Sequence, residues 1–301
     1  MVPGWFLEQA ERRFISRYKG INRLRCAVLL KFLETGARFP ISYDEVCQHR
    51  LQELCSALDF CPDDLGSYDP QSGSSIRHRS AIREFLSFRP STTSDYNAIQ
   101  KWLTDCVIEA PDQERELQTH IKAWCLENKV ELPAFAKQDR IINAAIANFE
   151  RTLFQSVSGR MPLGVQKAID EMFETSNEST AIFSVLKTDA GKPSLDSIFE
   201  ELSKLTEISA LGLPDTLFVD ISQKTVHSYR LRASSESVWD MRRHPASVRY
   251  TLAAAFISER RREVIDGLIE LLIQIIHKIQ VQAESKVIKE LVAGVREVSN
   301  K

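Results

Sequence analysis

Arginine and serine recur along one side of a short segment, Ser75-Ile76-Arg77-His78-Arg79-Ser80-Ala81-Ile82-Arg83-Glu84-Phe85-Leu86, in a pattern suited to nucleic acid. At helical spacing Ile82, Phe85 and Leu86 share one face, and Arg77, Ser80, Arg83 and Ser87 share the other. The first face can dock while the second stays free. A guanidinium fork matches guanine edges and phosphate oxygens alike, so Arg77, Arg79, Ser80 and Arg83 are candidate DNA-binding residues. His78 falls on the apolar side and reads as a packed or capping histidine. The plain alternative is a solvated charged face.

A second candidate lies between Pro133 and Phe154. Ile142, Ala145, Ile146, Phe149 and Leu153 mark a docking side, with Arg140, Asn143, Ala144, Ala147 and Arg151 opposite and Lys137 just before. Small alanines between Arg and Asn permit close approach to a groove. In both segments a helix and a turn come first, the outline of a helix-turn-helix, although such outlines are common in helical proteins. A third basic cluster joins Arg230 and Arg232 to Arg242, Arg243 and Arg249, with Arg260, Arg261 and Arg262 further along. These can clamp phosphates or pair with glutamates of neighbouring helices. Arg12, Arg13, Arg17, Lys19, Arg23 and Arg25 form a fourth basic surface of the same kind.

Catalysis has little support. There is no Gly-rich phosphate loop, nucleophile elbow or H-E-x-x-H motif, and the carboxylates are scattered along helices, so no catalytic residues, metal or cofactor are expected. Cys47, His49, Cys55 and Cys61 lack the ligand spacing of a zinc finger and read better as buried thiols and a solvated histidine.

The composition fits a folded soluble protein: of 301 residues, 43% are hydrophobic and 27% charged. A net charge of -2 gives no global nucleic-acid signature, so any such function must rest on local patches. One patch runs from Met1 to Pro40, with eight Lys or Arg against three acidic residues. The apolar run from Val264 to Ile279 is broken by Asp266, Glu270, Gln274 and His277, which argues against a membrane span. With no secretory signal, a cytoplasmic location and no membrane partner are expected.

The elements that must position these patches all read as helices, and the fold class is all-α. Asn22 can cap a helix that Gly36 ends; Ser42 and Glu45 form a capping box; Ser75 can cap the first basic helix. Pro193 and Ser194 start a helix with Leu195, Ile198, Leu202, Leu205 and Ile208 at bundle-like spacing, closed by Gly212. Pro245 opens a very long helix whose apolar residues Leu252, Phe256, Val264, Leu268, Leu271, Leu272, Ile275 and Ile279 must pack on something. The turn-rich stretch Arg89 to Ser94 suggests a first boundary, giving parts 1–92, 93–176, 177–236 and 237–301.

Five stretches taken in order carry a resemblance: NRLRCAVLLKFLETGARFP, SSIRHRSAIREFLSFRP, ELPAFAKQDRIINAAIANFE, SLDSIFEELSKLTEISALGLP and the basic entry and long helical run from Ser237 to Val287. Together they resemble the N-terminal DNA-binding region of Tn-three family replicative transposases, with a domain of the DUF4158 type. That resemblance implies binding to double-stranded DNA at the terminal inverted repeats of a transposon. It places the acidic catalytic triad in a C-terminal half that this chain lacks, so no activity is expected of the chain alone. It also implies that the long helix connects to or dimerises with other parts, the partner being the chain itself or a full-length transposase. Two readings stand beside it: a truncated transposase that regulates transposition, and an all-helical interaction module without DNA function.

Overall fold

Apolar residues at three- and four-residue steps, interrupted by turn formers, fold this chain into helices. The computed structural model describes residues 5–65, 72–108, 114–174 and 181–299. Among these residues the structure is all-α, as expected, and the one β-type pairing is an isolated bridge between Arg89 and Val130. No helix of the described residues is long and apolar enough to cross a membrane. The chain divides into two compact units, one up to residue 149 and the other from residue 150 onwards.

In the first unit, α1 (Gln9–Ile15) and α2 (Asn22–Gly36) are joined by the buried Lys31, whose ammonium donates to Glu11 at 2.7 Å and to Glu34 at 2.8 Å. Partner hydrogen bonds hold this ammonium charged against the cost of burial. α2 stops at Ala37, which takes the left-handed conformation (φ 53°) anticipated for Gly36, while Gly36 remains the last helical residue. α3 (Gln48–Leu58) starts later than the capping box at Ser42 predicts. The Glu45 carboxylate accepts the Ser42 N–H (3.3 Å), but also that of Ile41 (2.8 Å), and a 3-10 turn forms there instead.

α4 (Gly73–Leu86) is capped by Ser72, whose hydroxyl accepts the Ser75 N–H at 3.4 Å; Ser75, the expected cap, is buried inside the first turn. α5 (Thr93–Trp102) opens on a capping box between Thr92 and Asp95 and runs into a π-helical turn, Leu103–Val107. α6 (Glu114–Glu127) and α7 (Phe135–Arg160) follow. Phe14, Leu24, Val28, Leu54, Ile82, Ile99, Ile121 and Ile142 meet in one core. The segment Arg89–Ser94 lies inside this unit, tied to the α6–α7 connection because Arg89 and Glu131 each donate a backbone N–H, to Lys129 (3.0 Å) and Arg89 (2.9 Å) respectively.

The division between units falls within α7. The second unit contains α8 (Leu163–Met172), α9 (Ile182–Lys187), α10 (Leu195–Ala210), α11 (Gln223–Ser235), α12 (Val238–Arg243) and α13 (Ala246–Ser299). Ser194, Ser222 and Ser237 cap α10, α11 and α12, and Gly212 follows α10 with φ 64°. α10 and α11 flank α13, whose Leu252, Phe256 and Val264 are buried with Phe173, Phe183 and Tyr229. Beyond Leu271 the packing stops: Leu272, Ile276 and Ile279 are exposed, so part of the long apolar face lies uncovered.

Candidate nucleic-acid interface

α4 docks by Ser75, His78 and Ile82, with Phe85 stacked on Phe14 at 4.4 Å between ring centres. This packing turns Arg77, Ser80, Glu84 and Ser87 outward. Arg77 is therefore available, and no carboxylate among the described residues pairs with it. Arg83 is placed differently from the expected free face. Its Nε donates to Glu131 Oε1 at 2.6 Å and its Nη2 to Oε2 at 3.3 Å, while the guanidinium lies 5.3 Å from the centre of the Phe39 ring. Arg79 stacks on the same ring at 5.2 Å and donates to the Pro40 carbonyl at 3.3 Å. Both side chains therefore hold α4 to the segment after α2.

His78 is buried, as its position on the apolar side suggests, with its ring edge-on to Tyr18 at 4.7 Å. Burial, and then the charges of Arg77 and Arg25, push the imidazole below its ordinary value. Both Arg77 of α4 and Arg25 of the N-terminal basic surface thus act on the same ring. Arg23 and Arg25 are half-buried, whereas Arg13, Arg17 and Lys19 are exposed.

On α7 the two sides fall as read. Ile142 and Ala145 are buried; Arg140, Asn143 and Ala147 are exposed and Ala144 is half-buried between them. Arg140 and Asn143 have no hydrogen-bond or ion-pair partner among the described residues. Lys137 is half-buried, with its ammonium 4.9 Å from the Tyr96 ring centre, a cation–π contact that fixes it beside the stripe. Arg151 is exposed further along the helix, in the second unit. Residues 128–134 connect α6 to α7, a connection longer than the roughly 3–4-residue turn of a helix-turn-helix.

In the second unit most of the expected clamp is internally paired. Arg249 donates to Asp170 Oδ1 at 3.0 Å and to the carbonyls of Arg242 (3.3 Å) and His244 (3.2 Å), so it ties α8 and the end of α12 to α13. Arg230 pairs with Glu263, Arg232 with Glu236, and the buried Arg260 with Glu263 and the Leu186 carbonyl. Asp215 takes Arg261 at 3.2 Å. Arg242 and Arg243 remain exposed. Arg242 lies 5.3 Å from the ring centre of Trp239, itself 47% exposed, an aromatic platform that charge patterning alone does not reveal. Among the described residues no group of His, Cys, Asp and Glu is arranged to hold a metal. Cys55 is buried, but Cys47 and Cys61, read as buried thiols, are exposed.

Residues 4–145 match a family described as a domain of unknown function, DUF4158. Over 273 residues the chain is 22% identical to the transposase for transposon Tn2501 of Escherichia coli, covering 88% of this chain and 27% of that protein. It is 21% identical over 257 residues to the transposase for transposon Tn1546 of Enterococcus faecium, covering 83% and 26%. For the transposase of transposon Tn501 of Pseudomonas aeruginosa the identity is 22% over 266 residues, covering 88% and 27%. The chain thus spans about a quarter of the length of these curated relatives and corresponds to their N-terminal part.

Proposed function

We propose that this distant homologue of Tn-three family transposases binds duplex DNA at the terminal inverted repeats of a transposon, as a non-catalytic portion of a transposase. The observation that carries the reading is the outer stripe of α7. Arg140 and Asn143 are exposed and unpaired among the described residues, and small Ala144 and Ala147 on the same side let a groove wall come close. Arginine suits guanine, asparagine suits adenine, and both also reach phosphates. Arg77 on α4 supplies a second contact in the same unit, and Arg242 and Arg243 beside Trp239 supply phosphate contacts from the other. The family resemblance implies an acidic triad in a C-terminal part, whereas the match spans only 27% of the length of the Tn2501 transposase, and the part proposed for the matched region is to hold transposon ends.

Fluorescence anisotropy with a labelled duplex of the transposon's own inverted repeat tests this. Affinity should exceed that for a scrambled duplex, and the logarithm of the binding constant should fall linearly with the logarithm of salt concentration, because each neutralised phosphate releases counterions. Absence of salt-sensitive binding overturns the first half of the reading. Magnesium- or manganese-dependent nicking by protein freed of contaminating nuclease overturns the second.

A further inference from the structure

α10 is docked on one side and apolar on two. Ile208 is buried, and Ile198 and Leu205 pack half-buried against the core of the second unit. On the side turned away from that core, Leu195 and Phe199 are 67% and 66% exposed and Leu202 is 43% exposed, one ridge over two turns of helix. Single exposed apolar residues are ordinary, whereas a continuous apolar stripe in water marks a surface that another body covers. Beside the ridge lies a groove of about 470 Å³ between α10 and α9, with the exposed Ile182 and Val185 on its far wall.

Charge decides what kind of body fits there. Asp196, Glu200 and Glu207 run along the ridge as an exposed acidic edge, and Asp189, which Arg260 reaches at 3.5 Å, adds a carboxylate at the groove. The cations of the two helices do not answer this edge. Lys204 is buried and donates to Glu201 (2.5 Å) and to the Thr188 carbonyl (2.8 Å). Lys187 donates to the Glu236 carbonyl, with its ammonium 4.2 Å from the centre of the Phe183 ring. The face is therefore apolar with surplus negative charge at its edge, which repels phosphate and sets it apart from a DNA contact. A second α10 fits no better, because it brings the same carboxylates and no free cation.

We propose that the outer face of α10, with the groove beside it, is a docking site for a basic amphipathic helix of another protein. The apolar stripe of that helix covers Phe199 and its neighbours, and its lysines or arginines meet Glu200 and Glu207. This contact is separate from DNA binding and stands without it. The probe is a fluorescent synthetic peptide of about 18 residues, long enough to hold helix in part on its own. It carries leucines at i, i+3, i+4 and i+7 and lysines on the remaining face, and a twin peptide has glutamate for every lysine. By anisotropy the full chain should bind the lysine peptide about tenfold or more tightly than the twin, and less tightly as salt rises. Phe199→Ser with Leu202→Ser should weaken that binding by about tenfold. The circular dichroism spectrum should not change, because both side chains are exposed, and affinity for the inverted-repeat duplex should stay that of the parent. Glu200→Lys with Glu207→Lys should reverse the preference, so that the glutamate peptide binds better. Equal affinity for the two peptides overturns the proposal, as does binding that survives the serine substitutions or a preference unchanged by Glu200→Lys with Glu207→Lys. So does a parent dimer, seen by light scattering, that the serine substitutions dissociate, since the ridge then belongs to a second copy.

Discussion

In α4 the arginine that best matches a reading face, Arg83, is held by Glu131 from the α6–α7 connection; in α7 the comparable Arg140 meets no carboxylate among the described residues. Both helices dock through isoleucines that are wholly buried, Ile82 and Ile142, and both turn small or polar residues outward. They differ in what stands next to the outer face. Phe39 and Glu131 rise beside α4 and take Arg79 and Arg83 as packing material, the guanidinium planes covering an aromatic ring. Beside α7 the Tyr96 ring engages Lys137, and no aromatic or carboxylate contact to Arg140 is found among the described residues. Two helices of similar charge pattern therefore differ in the outer surface they expose: one offers Arg77 with Ser80, the other a stripe of Arg140, Asn143 and alanines.

The largest expected effect concerns what the helices share. Ile82→Ala and Ile142→Ala should each destabilise the fold by about 2–5 kcal/mol, because a cavity is left in a close-packed core. Thermal unfolding of the two variants measures this. Near-equal losses mean that α4 and α7 are equally well docked and that their difference lies in the outer faces; a loss under about 1 kcal/mol at either site would show that helix to be a loosely held surface element.

How far these faces were legible follows from the same residues. Spacing separated Ile142 and Ala145 from Arg140 and Asn143 correctly, since a helix of known period fixes which side chains share a side. Pro245 as the start of α13 was equally legible, because proline fits a first turn and no second proline follows. The Arg83–Glu131 pair was not, for its partners are 48 residues apart and nothing local to α4 announces Glu131. Nor could spacing say whether an apolar face is covered. Leu195 and Leu202 look like bundle positions, yet in the fold they form the exposed ridge of α10, while Ile208 of the same helix is buried. Caps slipped by short steps, Ser75 to Ser72 and Gly36 to Ala37, where several residues in a row can satisfy the same free N–H or carbonyl.

The next effect in size separates the two arginines directly. Arg140→Ala should weaken binding to the inverted-repeat duplex by about 1–3 kcal/mol if it reads a base, or reduce the salt slope by about 1 if it holds a phosphate, without changing the melting temperature. Arg83→Ala should do the opposite. It breaks a half-buried, two-armed ion pair and should cost about 1 kcal/mol of stability, while leaving the DNA affinity of the folded protein near that of the parent. Anisotropy and thermal melts on the same two preparations decide. Loss of DNA affinity in the Arg83 variant with none in the Arg140 variant would reverse the assignment of the two helices.

The smallest effect turns on a group that α4 has and the docking face of α7 lacks. His78 is buried against Tyr18, and burial first, then Arg77 and Arg25, hold its imidazole below the ordinary 6.5. In the unfolded chain the same ring takes up a proton near that ordinary value. The unfolded state therefore binds more protons between the two values, and stability rises with pH across this window. The contribution is complete above about pH 6.5 and is lost as the pH falls through the folded value. Melting temperatures measured from pH 7.5 downwards should accordingly decline more steeply in the parent than in His78→Gln, which keeps polar bulk but cannot titrate. Duplex DNA bound at Arg77 should shrink that difference, because a phosphate beside the arginine offsets the positive charge that opposes protonation of His78. An identical pH dependence in parent and variant, with and without DNA, would show that the docking face of α4 is as indifferent to protons as that of α7.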